Sequence, residues 1–288
     1  MKQIRRCAAG VLLALGLIAG PSPAAVAGEV PEIAERAEMQ RLLTQRIARA
    51  YCQAGLGVAP DESGQELLES VALFDLQLAK LKQSRLQERE RASLAAVERA
   101  WTPFRAAALQ RFSREGCDTV NRRSEELLGL TADLAREVGG RTGAQGAGAP
   151  AAVAARQRVL AQKLARLYMA RAWGLDSAAL REEVASARNE FSGALAKLQE
   201  APGNSPAVSL RLGQVALQWV WLDTALEQDG PADYGLVVAD STDAITRGME
   251  SVTRLYQGQP DPAPKPVIGF ERSRQRPGEG AAILARYP

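Results

Sequence analysis

The sequence has no histidine, only three cysteines, and aromatic side chains at just 5% of its 288 residues. Without histidine a Ser-His-Asp triad is impossible, and the commonest zinc ligand, general base and neutral-pH sensor are missing. No glycine-rich phosphate loop follows a strand pattern, and strand signals are nearly absent. The acidic pairs Glu125-Glu126 and Glu182-Glu183 lack the Glu-x-x-His spacing of di-iron bundles, and neighbours in sequence diverge around a helix, so they read as solvated faces. No metal site, no cofactor and no enzymatic activity are expected.

Acidic and basic residues are nearly balanced, and the small excess of base sits at the N-terminus. Lys2, Arg5 and Arg6 precede an apolar run from Cys7 to Gly20, followed by Pro21, Pro23 and the small residues Ala25-Val26-Ala27. This is the secretory pattern, with cleavage predicted after Ala27. Residues 1–27 are read as a signal peptide, which leaves a mature chain of zero formal charge. Nucleic-acid binding loses its electrostatic support. The leader run is short for a membrane helix and nothing later approaches 18 apolar residues, so no stable span is expected after cleavage. The expected location is periplasmic or secreted. Cys7 lies at the start of the apolar run, not after it, and cannot serve as a lipid anchor there, so Cys52 and Cys117 remain; in an oxidising compartment a disulfide is favoured over two separate buried thiols.

What the chain does have is a repeat. Met39-Gln-Arg-Leu-Leu-Thr-Gln-Arg-Ile-Ala-Arg-Ala-Tyr51 aligns with Arg156-Gln-Arg-Val-Leu-Ala-Gln-Lys-Leu-Ala-Arg-Leu-Tyr168, identical at seven of thirteen positions. The register continues through Phe74 with Phe191 and Leu81 with Leu198. One residue later it pairs Trp101 with Trp219, Leu127 with Ile245 and Leu134 with Val252. Such persistence marks a tandem duplication. The organisation expected is a first unit over 28–139, a flexible Gly/Ala-rich linker over 140–150, a second unit over 151–258 and a disordered Pro/Arg-rich tail over 259–288.

Each unit carries helical periodicity. Leu43, Ile47, Ala50 and Ala54 make one apolar face; Pro31 suits a first helical turn, Gly55 and Gly57 stop the helix, and Asp61 is placed to cap the next. Helices through Leu67–Leu81, Leu94–Leu109 and Leu127–Val138 follow, and the second unit repeats them over 153–175, 178–198, 208–226 and 234–256. The fold class predicted is all-α, two tandem antiparallel four-helix bundles. Up-down-up-down connectivity brings Cys52 and Cys117 to one end of the first bundle, and closing that loop is worth roughly 4 kcal/mol in the chain-entropy model. The second unit has Met169 and Gly235 instead. Trp101, Trp219, Trp221, Phe74 and Phe191 read as core aromatics, and Tyr51 and Tyr168 as rim hydrogen-bonders.

The repeated Gln-Arg-x-Leu-x-Gln-Arg/Lys-x-Ala-Arg-x-x-Tyr segment carries the candidate site. Arg41, Gln45 and Ala48 share one stripe, as do Arg158, Gln162 and Ala165, while Gln40 and Gln157 fall on the apolar face and need partners. Arginine and glutamine together offer planar donors suited to a small oxyanion, although a solvated or locally paired face is the plain alternative for each arginine.

This segment resembles the N-terminal sensory domain of type IV pilus methyl-accepting chemotaxis transducers (PilJ-like), which is related to the periplasmic domain of nitrate/nitrite sensor kinases. The resemblance covers roughly 30–139 and 150–258. It implies anion binding by the first motif arginine, at Arg41 and Arg158, where two copies of helix 1 meet; the second motif arginine falls at Arg46 and becomes Lys163. Where the family often has glycine, this chain has Glu38 and Ala155, and Glu38 lies one turn from Arg41. The implied ligand-binding set is therefore Arg158, Gln162, Lys163, Arg41, Gln45 and Arg46. The transducers continue into a membrane helix and signalling domain, whereas this sequence continues into a Pro-rich tail. The function expected is a soluble sensor-like protein that binds a small anion or relays a signal to a membrane partner, as a homodimer or a pseudo-symmetric monomer. The alternative is an envelope assembly protein without a ligand.

Overall fold

A computed structural model describes residues 23–142, 149–228 and 234–261. Most of the predicted signal peptide, the middle of the linker and the tail beyond Asp261 lie outside the described residues. Among those described there are eight α-helices and no strand. The first unit holds α1 (Pro23–Gly55), α2 (Pro60–Gln83), α3 (Glu88–Ala108) and α4 (Arg114–Gly139); the second holds α5 (Pro150–Ala172), α6 (Ala178–Gln199), α7 (Pro206–Glu227) and α8 (Gly235–Tyr256). In each unit the first helix packs on the second and fourth, and the third closes the ring. The all-α expectation of four-helix bundles is met.

Local boundaries differ from expectation in instructive ways. α1 begins at Pro23, so Pro31 lies inside the helix instead of opening it. Ala59, not Asp61, is the N-cap of α2; its φ of 43° makes the sharp left-handed turn, and Pro60 then starts the helix. Asp61 and Glu62 sit in the first turn, where carboxylates favour the helix dipole. The linker is not featureless from its start: Gly140–Thr142 forms a 3-10 turn, and Arg141 reaches the buried Glu90 at 3.0 Å. Residues 259–261 of the predicted disordered tail are likewise held, Gln259 N–H by Arg254 O at 2.9 Å and Asp261 by Arg211.

Each core is centred on the same aromatic stack. Phe74 lies on Trp101 with centroids 3.8 Å apart, and Phe191 on Trp219 at 4.2 Å. Trp221 departs from its expected core role and is 43% exposed. The Cys52–Cys117 disulfide is formed, with a Cα–Cα distance of 5.3 Å, and staples α1 to α4. Tyr51 donates to Arg111 O at 2.7 Å but is fully buried, not at a wet rim. No helix among the described residues is long and apolar enough to cross a membrane.

The two units meet through α1 and α5. Their buried apolar residues form one continuous cluster. The contacts progress in the same direction along both helices: Arg158 faces Glu35 and Glu38, Gln45 meets Arg166, and Gly55 lies under Trp173. The two helices are therefore parallel. A Cβ on Gly55 would stand 1.9 Å from the Trp173 ring, so only glycine permits this approach.

Candidate functional site

Because α1 is enclosed by α2, α4 and α5, it is buried nearly all round, and so is α5. Residues off each helix's bundle-facing stripe are buried by the other unit. Two full-length arginines lie there: Arg49 and Arg166 are 0% and 2% exposed and occupy equivalent positions of the repeat. Arg49 binds Glu66 of its own unit at 2.5 Å and Asp243 of the other at 2.9 Å. Arg166 binds Glu183 of its own unit at 3.2 Å and Glu125 of the other at 2.5 Å. Glu66 and Glu183 are repeat equivalents, and so are Glu125 and Asp243. The interface thus carries one charge cluster twice, related by a pseudo-twofold axis.

Burial opposes the charged form of Arg49, but the carboxylates of Asp243 and Glu66 overcome it and hold the guanidinium above its ordinary value. Burial likewise opposes ionisation of Glu183, and Arg166 with Lys163 outweighs it, keeping that carboxyl below the usual range. The reading of Glu125-Glu126 and Glu182-Glu183 as solvated faces is corrected here: Glu125 and Glu183 are the counter-charges of Arg166 and also of Lys163, at 3.1 and 2.7 Å.

The expected ligand set lies on the same two helices but is not open. Arg46 takes Glu66 at 3.2 Å, Arg41 takes Glu38 at 2.8 Å, and Lys163 is enclosed by its two carboxylates. The glutamines split. Gln45 accepts from Arg166 Nε at 2.8 Å, and Gln162 donates to Thr246 at 3.1 Å. Their pseudo-symmetric contact is missing, since Arg49 Nε and Gln162 Oε1 are both buried without a hydrogen-bond partner. Gln40 and Gln157 are fully buried with neither amide nitrogen nor oxygen bonded, so the partners their positions require are absent in both units.

Comparison with family models, curated proteins and solved structures returns no match. The geometry must therefore speak for itself. Among the described residues no group of three or more His, Cys, Asp or Glu could hold a metal ion.

Arg158 stands apart from the other cations. It is 8% exposed, and its Nε has no hydrogen-bond partner. Glu250, whose side chain is 41% exposed, touches Nη1. Burial holds this guanidinium below its ordinary value; Glu38 and Glu35 oppose the shift and Arg46 reinforces it. Arg158 is thus a buried cation with incomplete compensation, next in sequence to the unbonded Gln157. Arg49 and Arg166 were missed in the sequence because they lie off the apolar stripe. The available signal was their identity between copies together with the small residues Thr44 and Ala48, matched by Ala161 and Ala165, that let two helices approach.

Proposed function

We propose that this chain is an exported, non-enzymatic sensor-like protein whose paired motif helices take a small oxyanion of the nitrate type at Arg158. The observation that carries the reading is the state of that one arginine: buried, short of a hydrogen bond at Nε, in direct contact with one half-exposed carboxylate, and held below its ordinary value despite the charges of Glu38 and Glu35. An anion supplies what such a guanidinium lacks, two acceptors in the plane of its donors. Glu250 can leave to water when the anion arrives, whereas the carboxylates on Arg49 and Arg166 pin the scaffold. The resemblance to chemotaxis-transducer sensory domains supports the same position. Export is supported by the disulfide and by the leader pattern.

Thermal-shift titration of the mature protein with sodium nitrate and nitrite, against chloride at equal ionic strength, tests the reading. The expected result is a rise in Tm that Arg158→Ala abolishes and Glu250→Gln enlarges, because Glu250 competes for the same donors. Equal Tm in nitrate and chloride for both wild type and Glu250→Gln would exclude an anion site. A second reading, an envelope assembly scaffold, is favoured by the carboxylate pairs on Arg49 and Arg166, which join the two bundles without any ligand. Absence of an anion response together with a stable complex isolated from the envelope would select it.

A further inference from the structure

Arg166 reaches from the second unit into the first, and the acceptors it meets there stand on two helices. Gln45 Oε1 on α1 accepts from Nε at 2.8 Å, Asn121 Oδ1 on α4 accepts from Nη1 at 2.6 Å, and Glu125 on α4 pairs with Nη2 at 2.5 Å. The Cys52–Cys117 disulfide ties those same two helices together. Gln45 precedes Cys52 by two turns of α1, and Asn121 and Glu125 follow Cys117 by one and two turns of α4. Staple and socket therefore share one seam. Asn121 joins them: its Nδ2 donates to Cys117 O at 2.9 Å and lies against both sulfurs, while its Oδ1 faces the guanidinium.

The second unit supplies the contrast. Its equivalents of the two cysteines are Met169 and Gly235. Asp243 stands where Glu125 does and binds Arg49 at 2.9 Å. Ala239 replaces Asn121, and Gln162, the equivalent of Gln45, turns to Thr246 at 3.1 Å, while Arg49 Nε has no hydrogen-bond partner. Three acceptors converge on the arginine where the two helices are stapled; one does where they are not.

Two thiols cannot remain at bonding distance, and both cysteines are 0% exposed, in a core with no slack to absorb their separation. Opening the bond must spread α1 from α4 or push Asn121 aside, and either movement draws acceptors away from Arg166. The step needs a dithiol reductant: its two electrons break the S–S bond, its two protons make two S–H groups, and it closes a disulfide of its own. We infer that the Cys52–Cys117 bond is a redox-responsive latch between the units. Oxidised, it sets the α1–α4 spacing that gathers Gln45, Asn121 and Glu125 on Arg166; reduced, it disperses them and leaves Arg166 held as Arg49 is.

NMR of the 15N-labelled mature protein tests this, with the Arg166 Nε–H resonance assigned by Arg166→Lys. Its hydrogen exchange is compared in the oxidised chain, in the chain reduced by dithiothreitol with both thiols confirmed by titration, and in oxidised and reduced Asn121→Ala. Reduction should speed exchange at Arg166 by about tenfold or more, the factor carried by one hydrogen bond to a charged group, and reoxidation should restore it. Oxidised Asn121→Ala should exchange nearly as fast as the reduced wild type, with little added by reduction. Identical exchange in oxidised and reduced wild type overturns the proposal. So does an equal acceleration of every helix amide in both units, since reduction would then loosen the whole fold. Circular dichroism checks that each chain is folded. If the reduced chain unfolds, oxidised Asn121→Ala, which keeps the staple, decides alone: faster exchange at Arg166 upholds the link, and unchanged exchange overturns it.

Discussion

Arg49 and Arg166 occupy the same position in two copies of one unit, yet they are held differently. Arg166 has four polar partners: two carboxylates, the Gln45 oxygen at 2.8 Å and the Asn121 oxygen at 2.6 Å. Arg49 has its two carboxylates, and its Nε is unbonded. Asn121 accounts for part of the difference, because the equivalent position is Ala239. The same Asn121 amide lies against both disulfide sulfurs, 3.4 Å from Cys52 and 3.2 Å from Cys117. The stapled unit thus lends a neutral acceptor across the interface to its partner's arginine, whereas Arg49 receives only the Asp243 carboxylate in return. Duplication kept the buried cation and its counter-charges, and the supporting neutral groups then diverged.

The strongest way to break this comparison is to remove the counter-charges. Leaving a buried ion without its partners is expected to cost about 3–5 kcal/mol. Glu66→Ala with Asp243→Ala should approach that cost in urea unfolding, because Arg49 keeps no other acceptor. Glu125→Ala with Glu183→Ala should cost less, since Gln45 and Asn121 still solvate Arg166. Equal losses would show that the neutral acceptors contribute nothing. Replacing the arginine itself by Met should be milder than either double substitution, as the carboxylates are partly exposed and can turn to water.

Opening the disulfide comes next. Cys52→Ala with Cys117→Ala removes a closure across 65 residues of sequence, and typical native disulfides contribute about 2–4 kcal/mol. The effect should fall first on α1 and α4, so hydrogen exchange in the first unit should rise more than in the second. Uniform loss of protection in both units would mean that the shared α1–α5 core unfolds as one body, and that the staple is felt equally throughout.

Much of this architecture is legible in the sequence. The repeat, the helical period, the aromatic stack positions and the cysteine pair each follow from short-range pattern plus up-down connectivity. The charge clusters do not. A helix with one neighbour shows one apolar stripe, but α1 and α5 have three neighbours each, so Arg49 and Arg166 look solvent-facing until the second unit is docked. The same limit explains Glu125, whose role depends on cations of the other unit, and Glu183, which meets the same two cations from within its own unit. Trp221 fails for the opposite reason: it reads as core by type, but it falls nearly opposite Trp219 on α7.

A third prediction concerns Gln40 and Gln157, buried and unbonded in both copies. An unsatisfied buried polar group costs about 1–3 kcal/mol, and an apolar group of similar shape removes that penalty. Gln40→Leu and Gln157→Leu should each raise stability, by similar amounts if the pseudo-symmetry extends to their surroundings. Stabilisation at Gln40 alone would sharpen the contrast, placing a polar occupant beside Gln157 and therefore near Arg158. Destabilisation at both positions would mean that water or an ion satisfies these amides in solution.

The smallest effect is expected from pH, and it separates the second cluster from the rest of the fold. Glu183 is held below the ordinary carboxyl value of 4.5, against its own burial, by Arg166 and Lys163. Between the folded and the ordinary values the unfolded chain binds more protons at this site, so stability rises with pH across that window. The contribution is complete above about pH 4.5 and disappears as the pH falls through the lower folded value. Thermal unfolding from pH 3 to 6 should therefore show an acid limb that Glu183→Gln flattens. The same substitution also leaves Glu125 as the sole carboxylate on Arg166, so Glu183→Gln lowers Tm near neutrality while reducing its pH dependence below 4.5. An acid limb unchanged in slope by Glu183→Gln would place the titrating carboxyl elsewhere, and Glu183 would then be no more than a neutral spacer beside Arg166.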